Sequence, residues 1–189
     1  MSTNSQSIPI IGITPSSRPD AHLAVALARA GAFGVVDLGL DCGRGLSVLN
    51  EALEYGGPSL GALIRSELRF DPTLLPAGVD LVILAPGTDP LPWSTREDRP
   101  WKIFAQVTSL EEAKQAERAN VDALIAKGNE SGGRVGNETS FILLQRLIEA
   151  TELPVYAQGG VGIRTGSACL AGGAKGLVLD AQLALVKES

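Results

Sequence analysis

Eight short apolar runs, at residues 8–13, 34–38, 59–64, 80–84, 102–107, 123–126, 155–157 and 176–179, alternate with longer stretches patterned for helices. The runs are rich in Ile, Val, Leu and Ala. They lack the in–out alternation of a half-solvated sheet, so they read as parallel strands covered on both faces. Parallel strands need long crossovers, and the alternation supplies them as repeated βα units. The expected fold is α/β: a compact (β/α)8 TIM barrel with some helices shortened or missing. All 189 residues are assigned to one domain. An open, doubly wound sheet is the alternative that the same alternation allows.

The clearest helix patterns are at 19–31, with Leu23, Ala26, Leu27 and Ala30 on one face, and at 139–151, with Phe141, Leu144, Leu147 and Ile148. A third, at 109–120, opens on Ser109 followed three residues later by Glu112, the spacing of a capping box. Shorter patterns lie at 46–54 and 166–171. The links at 65–79 and 85–101 hold Pro72, Pro76, Pro86, Pro90, Pro92 and Pro100, so they are expected to be loops or single turns. That leaves thin cover over strands three to five. One theme recurs at 28–36, 117–125 and 169–178: a helix end, a turn of small residues, then the next strand. Gly31 and Gly172 suit the position after a helix, where φ turns positive. The repetition favours closure into a barrel. No helix pattern follows the last run, so the sequence reads as the N-terminal part of a larger multidomain protein.

Composition narrows the function. The chain is 44% hydrophobic and 20% charged, with a net charge of −5. It has no basic stripe interleaved with aromatics, so nucleic acid is not an expected partner. No apolar run nears the roughly 20 residues that span a bilayer. Residues 1–7 lack the basic and apolar segments of a signal peptide, which points to the cytoplasm. Cys42 and Cys169 stand far apart, without metal-ligand spacing, and are expected to be reduced thiols; no metal site is expected. The one histidine, His22, falls in the first helix pattern as a surface or capping residue.

In such a barrel the functional loops follow the C-terminal ends of the strands. After strand six comes Lys127-Gly128-Asn129-Glu130-Ser131-Gly132-Gly133-Arg134, a glycine-rich loop whose backbone can approach a ligand closely. Lys127, Glu130 and Arg134 are the candidate catalytic charges. After strand seven, Gln158-Gly159-Gly160-Val161-Gly162 runs into a helix whose free N–H groups favour an anion. Gln106, Lys127, Glu130, Arg134, Gln158 and Gly160 are expected to line one mouth of the barrel.

Residues 128–136 resemble the Gly-x-Glu-Ala-Gly-Gly-His-x-Gly loop of nitronate monooxygenases and the related FMN-dependent enoyl reductases. Residues 154–160, 171–179 and 9–37 resemble further segments of that family. The likeness is good over 101–185 and looser over 40–100. It is nearest to the shortened version at the N-terminus of some polyketide-synthase-like multienzymes. The resemblance implies an FMN-binding oxidoreductase, with Gln106 and Lys127 toward the flavin ring and Gly159, Gly160 and Gly162 toward its phosphate. Gly132, Gly133 and Gln158 would also contact the cofactor. Three departures stand out. The family's catalytic histidine falls on Arg134, which cannot act as a base. Its phosphate-binding Gly-Thr falls on Asp180-Ala181, and its Asn-rich strand-three motif is replaced by Gly61-Ala62-Leu63-Ile64-Arg65. A carboxylate 4 Å from a phosphate charge would cost about 4 kcal/mol at an effective dielectric near 20. FMN binding is therefore expected to be weak or absent.

Three functions follow. One is a nitronate-monooxygenase-like or enoyl-reductase-like barrel linked to polyketide or fatty-acid synthesis, with a small-molecule or acyl substrate and a degenerate flavin site. In it Arg134 would stabilise an enolate or nitronate oxygen. Another is a non-catalytic barrel that docks to other synthase domains or an acyl carrier protein. The last is a phosphate-binding isomerase or aldolase-type barrel using Lys127.

Overall fold

The computed structural model describes residues 9–57, 59–97 and 99–188. Eight parallel strands close into a barrel in chain order: β1 (Ile10–Ile13), β2 (Phe33–Asp37), β3 (Leu60–Ile64), β4 (Leu81–Leu84), β5 (Lys102–Val107), β6 (Ala123–Lys127), β7 (Val155–Gln158) and β8 (Gly176–Leu179). β8 pairs with β1 through Ile11 and Val178, so there is no open edge and the doubly wound alternative is excluded. Ile8, which begins the first expected strand, lies outside the described residues. β6 and β7 each run one residue further than the apolar pattern predicts. The extra residues are Lys127 and Gln158, which pair with one another across the ladder. β2 is displaced the other way: it takes in Phe33 and stops before Leu38.

Two apolar layers share each strand. Ile11, Ile13, Val35, Leu63, Ile83, Phe104, Ile125 and Val178 fill the barrel interior. The intervening residues, among them Val36, Ala62, Val82, Ala105 and Leu124, pack outward against the helices. A strand buried on both faces therefore shows no polar alternation.

The helices are α1 (Ala21–Arg29), α2 (Cys42–Glu54), α3 (Leu91–Ser94), α4 (Leu110–Arg118), α5 (Ser140–Ala150) and α6 (Ile163–Ala171). α2 and α6 begin earlier than their apolar periodicity implies. Asp41 supplies the missing start of α2, its side chain accepting from Arg44 N–H at 3.1 Å. α1 lies so close to β2 that a side chain at Gly34 would strike the backbone of Ala24. Among the described residues, the proline-rich links carry only a 3-10 turn at Pro72–Leu74 and the single turn of α3. Trp93 on α3 is buried and stacks on Phe70 at 5.8 Å, which anchors this short cover. Burying such a ring is worth about 2–3 kcal/mol. Beside it a cavity of about 590 Å3 opens between α4 and the outer faces of β4 and β5. After β8 there is a 3-10 turn, Ala181–Leu185.

The recurring helix-end theme is a backbone motif. Gly31 (φ 87°), Asn120 (φ 55°) and Gly173 (φ 102°) each follow a helix cap in the left-handed region. In each case the next N–H reaches back to the last turn: Ala32 to Leu27 O, Val121 to Ala116 O and Ala174 to Cys169 O. Gly172, expected in that role, has φ −77° and caps α6 itself; Gly173 takes the turn. The capping box at Ser109 is also half altered. Ser109 Oγ accepts from Glu112 N–H, but the Glu112 carboxylate turns to Thr108, accepting from its N–H at 2.8 Å and its hydroxyl at 2.9 Å.

Candidate functional site

At the C-terminal ends of the strands the inward-facing positions change from apolar to polar. Val35 is followed two residues on by Asp37, Leu63 by Arg65, Phe104 by Gln106, Ile125 by Lys127, Tyr156 by Gln158 and Val178 by Asp180. The period of two along a strand keeps each polar residue on the face of its apolar predecessor. All six polar residues line one cavity of about 80 Å3 in the mouth of the barrel. Gln106, Lys127 and Gln158 stand there as the sequence predicts, and Gly132, Gly133 and Arg134 close over them.

Two polar networks divide the mouth. On the β1–β3 side, the Asp37 carboxylate is 1% exposed and takes both Nε (2.9 Å) and Nη2 (2.5 Å) of Arg65. It also accepts the backbone N–H groups of Ser17 (3.1 Å) and Gly39 (2.9 Å). Arg65 Nη2 donates in addition to Ser16 Oγ at 2.7 Å. The hydrogen bond to Asp37 holds the Arg65 guanidinium even more firmly protonated than usual. Thr14 completes this side, its hydroxyl accepting Asp37 N–H at 2.9 Å.

On the β5–β8 side, Asp180 Oδ2 accepts from Gln158 Nε2 at 2.8 Å, and Gln158 Oε1 accepts from Gln106 Nε2 at 2.7 Å. The carboxylate thus sets the direction of both amides. The end of the chain is Gln106 Oε1, which is buried and has no hydrogen-bond donor. Between the networks stands Lys127, 7% exposed. Burial pushes its ammonium below the usual lysine value; Arg65 adds to that, while Asp180 opposes it. Among the described residues it makes no ion pair.

The rest of the expected site is placed differently. Glu130 does not face the cavity. Its Oε2 accepts Ser140 N–H at 2.9 Å, at the start of α5, where Thr139 makes no side-chain cap. A carboxylate fits that positive helix end. Gly159 and Gly160 lie beneath this same loop: a side chain at Gly159 would meet Ser131 Oγ at 2.8 Å, and one at Gly160 would meet Glu130 Cβ at 3.5 Å. They and Gly162 do not line the cavity. Arg134 does line the cavity, but its guanidinium is already engaged, with Nη2 on Glu112 Oε1 at 2.9 Å and Nη1 on Pro86 O at 3.4 Å. Asp180 turns toward Gln158, not toward the start of α6. His22 is exposed on α1, 5.5 Å from the Tyr55 ring. Both cysteines are free, and among the described residues no group of acidic, Cys or His side chains could hold a metal. No helix among them is long and apolar enough to cross a membrane.

Sequence reasoning missed Asp37 and Thr14, and treated Arg65 and Asp180 only as departures from a motif. The apolar-x-polar step at the ends of β2, β3 and β8 was the signal that marks Asp37, Arg65 and Asp180. Thr14 carries no such mark.

Comparison with known proteins agrees with this architecture. FabK from Thermotoga maritima superposes with a TM-score of 0.82 at 25% identity, over 94% of this chain and 60% of that one. A nitroalkane oxidase from Streptomyces ansochromogenes shares the fold, with a TM-score of 0.82 at 22% identity, over 97% of this chain and 67% of that one. A nitronate monooxygenase of Paraburkholderia phytofirmans is 38% identical over 69 residues, which are 32% of this chain and 19% of the relative. A (3aS,4S,5R,7aS)-5-hydroxy-7a-methyl-1-oxo-octahydro-1H-indene-4-carboxyl-CoA dehydrogenase of Rhodococcus jostii is 32% identical over 88 residues, 46% of this chain and 25% of that protein. The matched stretches thus span a quarter or less of these two relatives. Residues 74–189, more than half of the chain, match the Nitronate monooxygenase family. The chain belongs to that family.

Proposed function

We propose that this barrel keeps the architecture of the nitronate monooxygenase family but binds FMN weakly or not at all, and that its mouth takes a small polar ligand instead. The observation that carries this reading is the Arg65–Asp37 pair at 2.5 Å, on one side of a cavity of about 80 Å3. Sites that enclose a cofactor-sized ligand usually offer roughly 300–1,000 Å3. The cavity of about 590 Å3 beside α4 has that volume but lies against the outer faces of β4 and β5 and shares only Ala85, Gln106 and Arg134 with the mouth. Moving Arg65 aside to admit a flavin ring would leave a buried carboxylate unpaired, which costs several kcal/mol. The Gly159–Gly160 backbone, where the resemblance implies the flavin phosphate, lies under Glu130 and Ser131. The residues present do not fit FMN.

Lys127 and the Gln106 carbonyl would then contact the small ligand, with Arg134 guarding the entrance. The resemblance to barrels of polyketide-synthase-like multienzymes suggests a cytoplasmic setting beside other synthase domains or an acyl carrier protein, and an acyl-derived ligand.

Titration of FMN with the purified protein, followed by flavin fluorescence, tests the reading. No saturable quenching is expected up to tens of micromolar protein. Micromolar or tighter binding by the unmodified chain would overturn the reading.

A further inference from the structure

The geometry points to Lys127 as a nucleophile that forms an imine with a small aldehyde or ketone in the barrel mouth. The inference rests on the reading that this mouth takes a small ligand rather than a flavin.

The surroundings of the Lys127 amine and of Gln106 carry it. The Lys127 amine stands inside the cavity without an ion-pair partner among the described residues, while the other charges there are paired or hydrogen-bonded. Gly133 lies over it: a methyl group there would come within 3.6 Å of Nζ. A lysine becomes nucleophilic when it is desolvated or placed near another cation, and burial and Arg65 supply both. Finally, Gln106 Oε1 is a buried acceptor with no donor, and Gln106 lines the same cavity. Because Asp180 fixes the direction of both amides, that oxygen can only accept. It therefore selects a ligand that carries a hydroxyl or N–H group. A cavity of 80 Å3 has room for roughly three water-sized groups, which favours a short, hydroxylated carbonyl compound.

In the step itself, the neutral amine attacks the carbonyl carbon and a C–N bond forms. The C–O bond of the resulting carbinolamine then breaks. The oxygen leaves as water with the two protons that the amine carried, and C=N remains. Asp180 is the carboxylate that stabilises the imine once it is protonated.

The test uses the full chain and glycolaldehyde with cyanoborohydride, which reduces an imine to a stable secondary amine. Peptide mapping by mass spectrometry then compares Lys127 with Lys102, Lys114, Lys175 and Lys187. Those four are exposed and serve as internal references. Lys127 should be labelled at least tenfold faster than any of them, and the preference should vanish in denaturing urea. Labelling of Lys127 at or below the rate of the exposed lysines would overturn the inference, as would a preference that survives in urea. An FMN titration of the same sample separates the two ideas. Tight flavin binding sinks the reading beneath, whereas unselective labelling in a protein that binds no flavin sinks the imine alone.

Discussion

Arg65 and Asp37 hold each other in a place that neither would occupy alone. Removing one partner of a buried pair leaves the other uncompensated, so Arg65→Met should lower stability by about 3 kcal/mol in urea unfolding. The double variant Asp37→Asn with Arg65→Met should recover part of that loss, because the remaining amide is neutral. Lys127 behaves in the opposite sense. Its folded-state pKa is lowered by burial, so the unfolded chain binds more protons just below the ordinary value of 10.5. Stability from this group therefore rises with pH through that window and is lowest where the ammonium stays charged in both states. Lys127→Met should be more stable than the parent at pH 7, and the difference should shrink as pH approaches 10.5. A constant difference across that range would contradict the burial of a charged amine.

The elements are joined by local rules that the sequence displays unevenly. Gly31 has open space around it but φ 87°, so Gly31→Ala should destabilise by about 1 kcal/mol through backbone strain alone. A loss near zero would mean that the turn can relax. Glu130 supplies the cap that Thr139 does not, and Glu130→Ala should cost about 1 kcal/mol and fray the first turn of α5, as read by hydrogen exchange. The strands were legible because burial on both faces makes each a continuous apolar run. The helix ends were legible at Gly31, where the glycine is single. They were ambiguous at Gly172-Gly173, where either residue could turn and only the geometry chooses. Glu130 was misplaced for a similar reason. A charge in a glycine-rich loop reads as a site residue, and its helix partner lies ten residues further on.

At the scale of the molecule, closure in chain order brings six polar strand-end residues from six different strands into one mouth. The period of two along each strand fixes which face they take, although the sequence reading placed only Gln106, Lys127 and Gln158 there. It could not foretell that Arg65 would reach back to Asp37, a contact between residues 28 apart. On the proposed reading, that contact separates a shared fold from a shared cofactor. The family match, the superposition on FabK and the closed barrel agree on the scaffold, while the small, ion-paired mouth argues against a flavin in it. The direct measurement is equilibrium dialysis of the purified chain against excess FMN, followed by the visible absorbance of the retained protein. The account predicts less than a tenth of a flavin per chain. A stoichiometric flavin spectrum would contradict it.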